Sequence, residues 1–200
     1  VSLLKTAPEE NILLVVMHHI VGDAWSIDIL IREVLAVYQN GKDILSPLPI
    51  QYADFSLWQQ SDSQTEKLAL QLSYWQEALH HVPALQLPFD RPRPVANQNL
   101  GASVPFMLEP DLSQALRRFS EEQGLTIFMT LMAAFQVFLA RYSGQNDFAV
   151  GTPIANREQQ ELQTIIGFFV NTLAIRSEVK STQNFFKLTE KIKISLLTAY

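Results

Sequence analysis

The chain contains no cysteine in its 200 residues, which excludes both a disulfide framework and a thiol nucleophile and reads as a cytoplasmic protein. Long apolar runs are missing too. The longest, Ile12–Met17, falls far short of the roughly 20 residues that cross a bilayer, and Val1 does not open a charged leader before an apolar segment. Positive charge is scarce: 15 Lys and Arg stand against 20 Asp and Glu, for a formal charge of −5, with no basic cluster to follow a phosphate backbone. Composition therefore argues against a membrane or a nucleic acid as partner. What is present is enough apolar material for a core. At 48% hydrophobic and 18% charged, the chain is globular rather than disordered.

Polar residues bound an uninterrupted Ile/Leu/Val run at Asn11–Met17, the pattern of a buried strand, and His18 and His19 sit at its end. After Gly22, helical spacing links Ile27, Leu30, Ile31, Val34, Leu35 and Tyr38 up to the stop at Asn40-Gly41. Residues 43–50 read as an irregular connection, followed by the aromatic segment YADFSLWQQ and a polar helix ending near Leu79. The connection PFDRPRPVANQN, with three prolines within seven residues, is the best candidate boundary. Beyond it, SVPFMLE reads as a strand, and Leu112, Ala115, Leu116 and Phe119 mark an amphipathic helix closed by Gly124. Ile127 to Tyr142 is apolar nearly all round and reads as a helix buried on most faces. Strands are expected near Phe148–Ile154 and Phe168–Ile175, and a last helix presents Phe185, Leu188, Ile192, Leu196 and Ala199 on one face. No internal repeat is found. Strands and helices on both sides of residue ~95 predict an α/β chain of two units meeting at a cleft, 1–96 and 97–200.

The chemistry-bearing stretch is VVMHHIVGDAWSIDIL, residues 15–30. If the strand continues through the histidines, they face opposite sides, so one is a candidate for catalysis and the other for structure. Taken by spacing alone, both positions have commoner structural readings. A histidine at a strand end is more often a hydrogen-bonded packing residue than a catalyst, and an aspartate such as Asp23, just before a helix, is a common N-cap. A metal site is disfavoured, because Gly22 interrupts the helix that would align His19 with Asp23 and no third ligand is in view. His80-His81 reads as a solvated last helical turn.

HHIVGDAWS, however, resembles the HHxxxDGxS signature of the condensation domains of nonribosomal peptide synthetases, and more matches follow in the same order. PIQYADFSLWQQ, YWQEAL with LPFDRPRP, VGTPIANR and IGFFVNTLAIR are similar to that family's later segments. The resemblance covers essentially the whole chain. It implies a chloramphenicol-acetyltransferase-like fold, here as parts of two lobes truncated at both ends: the C-terminal part of the first lobe with the inter-lobe connection over 1–96, and the N-terminal part of the second over 97–200. It also implies an acyltransferase in which the α-amine of an acceptor aminoacyl thioester attacks the carbonyl of a donor acyl or peptidyl thioester. With no cysteine in the chain, the thioester sulfur belongs to the substrates, on phosphopantetheine arms of donor and acceptor peptidyl carrier protein domains beside an adenylation domain; no cofactor or metal is bound by the chain itself.

By the same resemblance His19 is catalytic, His18 supports it, and Asp23 holds the loop by charge pairing. Gly22, Ala24 and Trp25 shape the substrate channel with Ser26 starting the helix, while Asn171 faces the channel from the opposing lobe. For Asn171, a polar residue satisfying backbone at a strand bend is an equally good reading. Two departures stand out. Ala24 replaces the family's usual glycine, which alters access to the channel, and the arginine expected to pair with Asp23 is expected to lie outside the chain, among N-terminal strands. Rival readings are an inactive remnant or carrier-docking module of the same fold, and an epimerisation domain, which would not be expected to carry YADFSLWQQ. Heterocyclisation domains use aspartate-based motifs that this chain lacks.

Overall fold

The computed structural model describes residues 1–91 and 101–200. They group into two compact units, one of Val1–Ser73 with Pro153–Thr172 and one of Tyr74–Thr152 with Leu173–Tyr200. The boundary expected at 96/97 lies outside the described residues. The grouping does not follow a single cut in the chain, because a late segment, Pro153–Thr172, packs with the early one.

The first unit opens with an antiparallel hairpin. Strand β1 (Ser2–Ala7) pairs with β2 (Glu10–Leu14), placing Leu3 against Leu13 and Leu4 against Ile12. The buried strand expected over Asn11–Met17 is thus corrected twice: it ends at Leu14, and its residues are exposed. A continuous apolar run matches a strand covered on both sides, whereas among the described residues the only ladder partner of β2 is β1. A single 3₁₀ turn at His19–Val21 then leads into α1 (Ala24–Asn40). The helix stops where expected. Gly41 adopts φ +86° and its N–H bonds the Val37 carbonyl, a backbone conformation that a residue with a Cβ resists.

The aromatic segment forms α2 (Tyr52–Gln59), whose start is fixed by the Asp54 carboxylate accepting from the Gln51 N–H at 2.8 Å. Its Phe55 joins Leu162, Ile165 and Phe169 in a small core, with Ile50 and Tyr52 packed against it. Leu162 belongs to a 3₁₀ turn, Gln160–Thr164, so the late segment supplies most of this core. Helix α3 (Asp62–Ala78) buries no residue, as its polar composition predicts.

In the second unit the helix expected around Leu112–Phe119 is α4 (Pro110–Glu122), and the expected apolar helix is α5 (Ile127–Ser143), whose N-cap Thr126 accepts from the Met129 N–H. Strands β3 (Asp147–Ile154) and β4 (Asn171–Glu178) form a two-stranded sheet, most of which falls in this unit while Pro153–Ile154 and Asn171–Thr172 group with the first, and α6 (Phe185–Ala199) buries Leu188, Ile192 and Leu196. A core forms where Leu139 and Ala140 of α5 meet fully buried Phe148. Two expectations fail here. SVPFMLE makes no strand, and Val104, Phe106 and Met107 are exposed; Pro105 cannot donate to a ladder, and no strand lies beside it in either sheet of the described residues. Helix α5 is buried on one side only, because Phe128, Leu131, Phe135, Phe138 and Tyr142 form an exposed stripe at helical spacing. Among the described residues no single helix is long and apolar enough to cross a membrane.

The hairpin leaves Leu3, Leu4, Ile12, Leu13 and Leu14 each about half exposed or more, on strands with open edges. Such edges pair with other chains. Residues 1–200 expressed alone are expected to self-associate, and Leu3→Lys with Leu13→Lys to suppress it; light scattering that finds a monodisperse monomer before substitution contradicts this.

Candidate active site

Asp23 and Ser26, at the head of α1, are almost completely buried. The Asp23 Oδ1 accepts from the Ser26 N–H at 2.9 Å, which is the N-cap bond expected from its position, and from the Ser26 hydroxyl at 2.8 Å. It also accepts from Arg157 Nη2 at 3.1 Å in an ion pair whose side chains are 4% and 1% exposed. The other oxygen, Oδ2, accepts from the N–H groups of Phe169 and Val170 at 3.1 and 3.2 Å. One carboxylate therefore ties the helix start to the segment 167–170 and to Arg157.

The charge partner of Asp23 is thus within the chain, and the expectation of an arginine outside it is corrected. Arg157 lies in VGTPIANR, a stretch matched to the family without a role for its arginine; an arginine closing a run of small and apolar residues was the available signal. Its guanidinium is held on every side but one. Nη1 donates to the carbonyls of Leu162 and Ile165 at 2.5 and 2.7 Å, and Nη2 also donates to the Ser26 hydroxyl at 2.9 Å. The Phe169 ring lies 4.0 Å from its centre, a cation–π contact, and among the described residues Nε has no hydrogen-bond partner.

Burial pushes the Asp23 carboxyl up, but the Ser26 N–H and hydroxyl, the Phe169 N–H and the Arg157 charge outweigh it and hold the pKa at about 2. Asp23 is therefore an anion at neutral pH with its lone pairs engaged, and it is placed to hold the loop rather than to move protons.

The two histidines separate cleanly. His18 Nδ1 accepts from the Ile20 N–H at 3.1 Å, so His18 caps the 3₁₀ turn. They diverge because of this turn, not through strand alternation, since the strand has already ended. His19 is exposed, and among the described residues its ring nitrogens engage no hydrogen-bond partner; its ring meets Phe168 at 5.4 Å between centroids with the planes at 87°. It helps to line an apolar groove of about 530 Å³, with Leu13, Met17, Ile27, Leu30 and Val34.

Gly22 is buried, and a Cβ there would come within 3.2 Å of Met17 Cε and Ser26 Cβ, so close packing between turn and helix is what demands glycine. Ala24 opens the helix with an exposed methyl. The Trp25 indole donates to the Gln163 carbonyl at 3.0 Å, fastening the helix to the 3₁₀ turn of the late segment. Asn171 groups in the same unit as the histidines, not in a second one, and its side-chain oxygen accepts from the Thr172 N–H at 2.8 Å. Among the described residues no three or more His, Asp or Glu side chains converge as metal ligands.

A family model described as the condensation domain matches residues 1–200. The chain is 42% identical over its whole length to a linear gramicidin synthase of Brevibacillus parabrevis, of which it spans 3%, and 40% identical over 98% of its length to phosphinothricin tripeptide synthetase PhsC of Streptomyces viridochromogenes, of which it spans 19%. Among solved structures, a four-domain nonribosomal peptide synthetase bound to AMP and glycine superposes with a TM-score of 0.76 at 26% identity, covering 92% of this chain and 14% of that one. SgcC5 of Streptomyces globisporus gives 0.75 at 25%, covering 91% of this chain and 42% of that protein. The chain belongs to the condensation-domain family and has its chloramphenicol-acetyltransferase-like fold.

Asp23→Asn leaves a buried guanidinium without its counter-charge and should destabilise the protein by roughly 3–5 kcal/mol, well above the 0.5–2 kcal/mol or so of a lost cap. Because the folded pKa of about 2 lies below the ordinary 3.8, Asp23 contributes on the order of 2 kcal/mol that is complete above pH ~4 and lost as pH falls through about 2. Thermal melts from pH 6 to pH 2 should show wild type losing stability over that window and Asp23→Asn losing less. Equal losses in both proteins would show that the carboxylate is not the group responsible.

Proposed function

We propose that this chain carries the histidine-bearing part of a site that joins a donor acyl or peptidyl thioester to an acceptor amine. The observation that carries the reading is the division of labour within HHIVGD: Asp23 is consumed by backbone, Ser26 and Arg157, and His18 Nδ1 by the Ile20 N–H, while among the described residues both ring nitrogens of His19 are without a hydrogen-bond partner and His19 helps to line an apolar groove.

In this reading the acceptor α-amine, with an ordinary pKa near ~8, must be deprotonated and aimed at the donor carbonyl. Its lone pair forms the new C–N bond, the carbonyl oxygen passes through an oxyanion, and collapse expels the donor thiolate, which takes a proton. An imidazole can take the proton of the attacking amine or can orient the amine and stabilise the oxyanion, and His19 is the group offered for either role. Both substrates arrive on phosphopantetheine arms of carrier proteins, with an adenylation domain adjacent. Relatives that are large peptide synthetases support these partners. The absence of cysteine is consistent with chemistry in the cytoplasm.

A non-catalytic docking role is the second reading. The X-domain of teicoplanin biosynthesis, solved in complex with OxyB, shares the fold with a TM-score of 0.82 at 24% identity, and Ala24 stands where the family usually has glycine. One experiment separates the two. In the intact synthetase supplied with loaded donor and acceptor carrier proteins, His19→Ala is expected to slow condensation by ~10²–10⁴ if the imidazole acts as the base. A folded His19→Ala protein that condenses at the wild-type rate removes the catalytic role, and a wild-type protein that binds loaded carriers without forming product establishes the docking one.

A further inference from the structure

The late segment contains two adjacent phenylalanines with opposite surroundings. Phe169 is buried over the Arg157 guanidinium, while Phe168 is 39% exposed and meets the His19 ring. With the Phe169 ring and the backbone on both sides of Phe168 anchored, the direction open to the Phe168 ring is restricted. The anchoring is dense. The Gly167 N–H donates to the Ser26 hydroxyl at 3.0 Å, the Phe169 and Val170 N–H groups donate to Asp23, and the Phe168 carbonyl accepts from the Tyr52 hydroxyl at 2.9 Å. A Cβ on Gly167 would land on the Tyr52 ring, so the segment approaches α2 as closely as glycine permits.

His19 by contrast sits on a short exposed turn, and among the described residues no hydrogen bond fixes its imidazole. Near-perpendicular rings with centroids 5.4 Å apart have the favourable edge-to-face arrangement of aromatic pairs. We propose that Phe168 is the positioning residue for His19: its ring sets the plane of the imidazole, and it is itself set by Asp23 and Tyr52. Asp23 then reaches the reacting centre through backbone and Phe168, without touching substrate or imidazole. The proposal rests on the catalytic reading of His19, but the contact itself is tested independently of turnover.

The test uses Phe168→Leu and Phe168→Tyr in the intact synthetase, with Tyr52→Phe as a milder change that removes only the hydroxyl grip on the Phe168 carbonyl. Phe168 is exposed enough that leucine should leave the fold unharmed, and a melting curve checks this. The imidazole ring-proton resonances of His19, assigned by their loss in His19→Ala, should shift in Phe168→Leu and return towards wild type in Phe168→Tyr. The condensation kcat should fall roughly tenfold to a hundredfold in Phe168→Leu with KM little changed, since misplacement of this kind costs rate rather than binding, and Phe168→Tyr should rescue it. Tyr52→Phe should move both readouts in the same direction by less. Unchanged His19 resonances and unchanged kcat in a folded Phe168→Leu protein overturn the proposal. Shifted resonances with a His19→Ala protein that still condenses normally leave the contact intact and sink the catalytic reading instead.

Discussion

Taking Asp23 and Arg157 out of water together costs several kcal/mol per ion, and their mutual attraction offsets that only when the remaining donors and lone pairs are engaged. This constraint organises the first unit. The carboxylate needs N–H donors and takes them from Ser26, Phe169 and Val170; the guanidinium needs acceptors and takes the carbonyls of Leu162 and Ile165. Those groups belong to a helix start and, more than a hundred residues away along the chain, to a 3₁₀ turn with its C-cap and to the segment 167–170. The pair can be satisfied only when the three are assembled, so it specifies their assembly whether or not it adds net stability.

The apolar neighbours follow from the same requirement. A guanidinium is weakly hydrated and planar, so its face accepts an aromatic ring while its edge keeps the hydrogen bonds, and Phe169 covers it at 4.0 Å. Phe169 then meets Phe55 at 4.7 Å and Tyr52 at 5.1 Å, which joins the ion pair to the small core. Through Tyr52 and Phe55 the aromatic segment YADFSLWQQ thus forms the floor under the charge pair. Tyr52 does both jobs, with its ring in that cluster and its hydroxyl on the Phe168 carbonyl.

Much of this was legible in the sequence, unevenly. Helix α1 was readable at both ends because caps and stops are local, with Asp23 at its start and Gly41 after its last turn; the caps Thr126 of α5 and Asn184 of α6 are as local but were not picked out. Asp23 as both cap and charge partner was readable, but the identity of the partner was not, because a contact spanning 134 residues leaves no periodicity in the chain. Strands were read least well. The run through Asn11–Met17 has the composition of a covered strand, yet exposure depends on what lies against it, and composition cannot say how far the ladder continues past Leu14. Similarly, the exposed phenylalanine stripe of α5 has the hydropathy of a buried face.

In the catalytic reading proposed for His19, the commitment of Asp23 to structure also limits the chemistry open to it. In catalytic triads a carboxylate on the far ring nitrogen orients the imidazole and stabilises its cation. Here both Asp23 oxygens are occupied by backbone, serine and arginine, and among the described residues the His19 nitrogens have no hydrogen-bond partner. An imidazole without a carboxylate partner is less firmly oriented. In the proposed reading this matters, because thiolate leaves readily and an amine is intrinsically nucleophilic once neutral, so the advantage over solution comes mainly from aim. Orientation is then supplied by packing rather than by an ion pair on the ring, the part proposed above for Phe168, whose ring meets that of His19 and which follows the glycine that Ser26 holds.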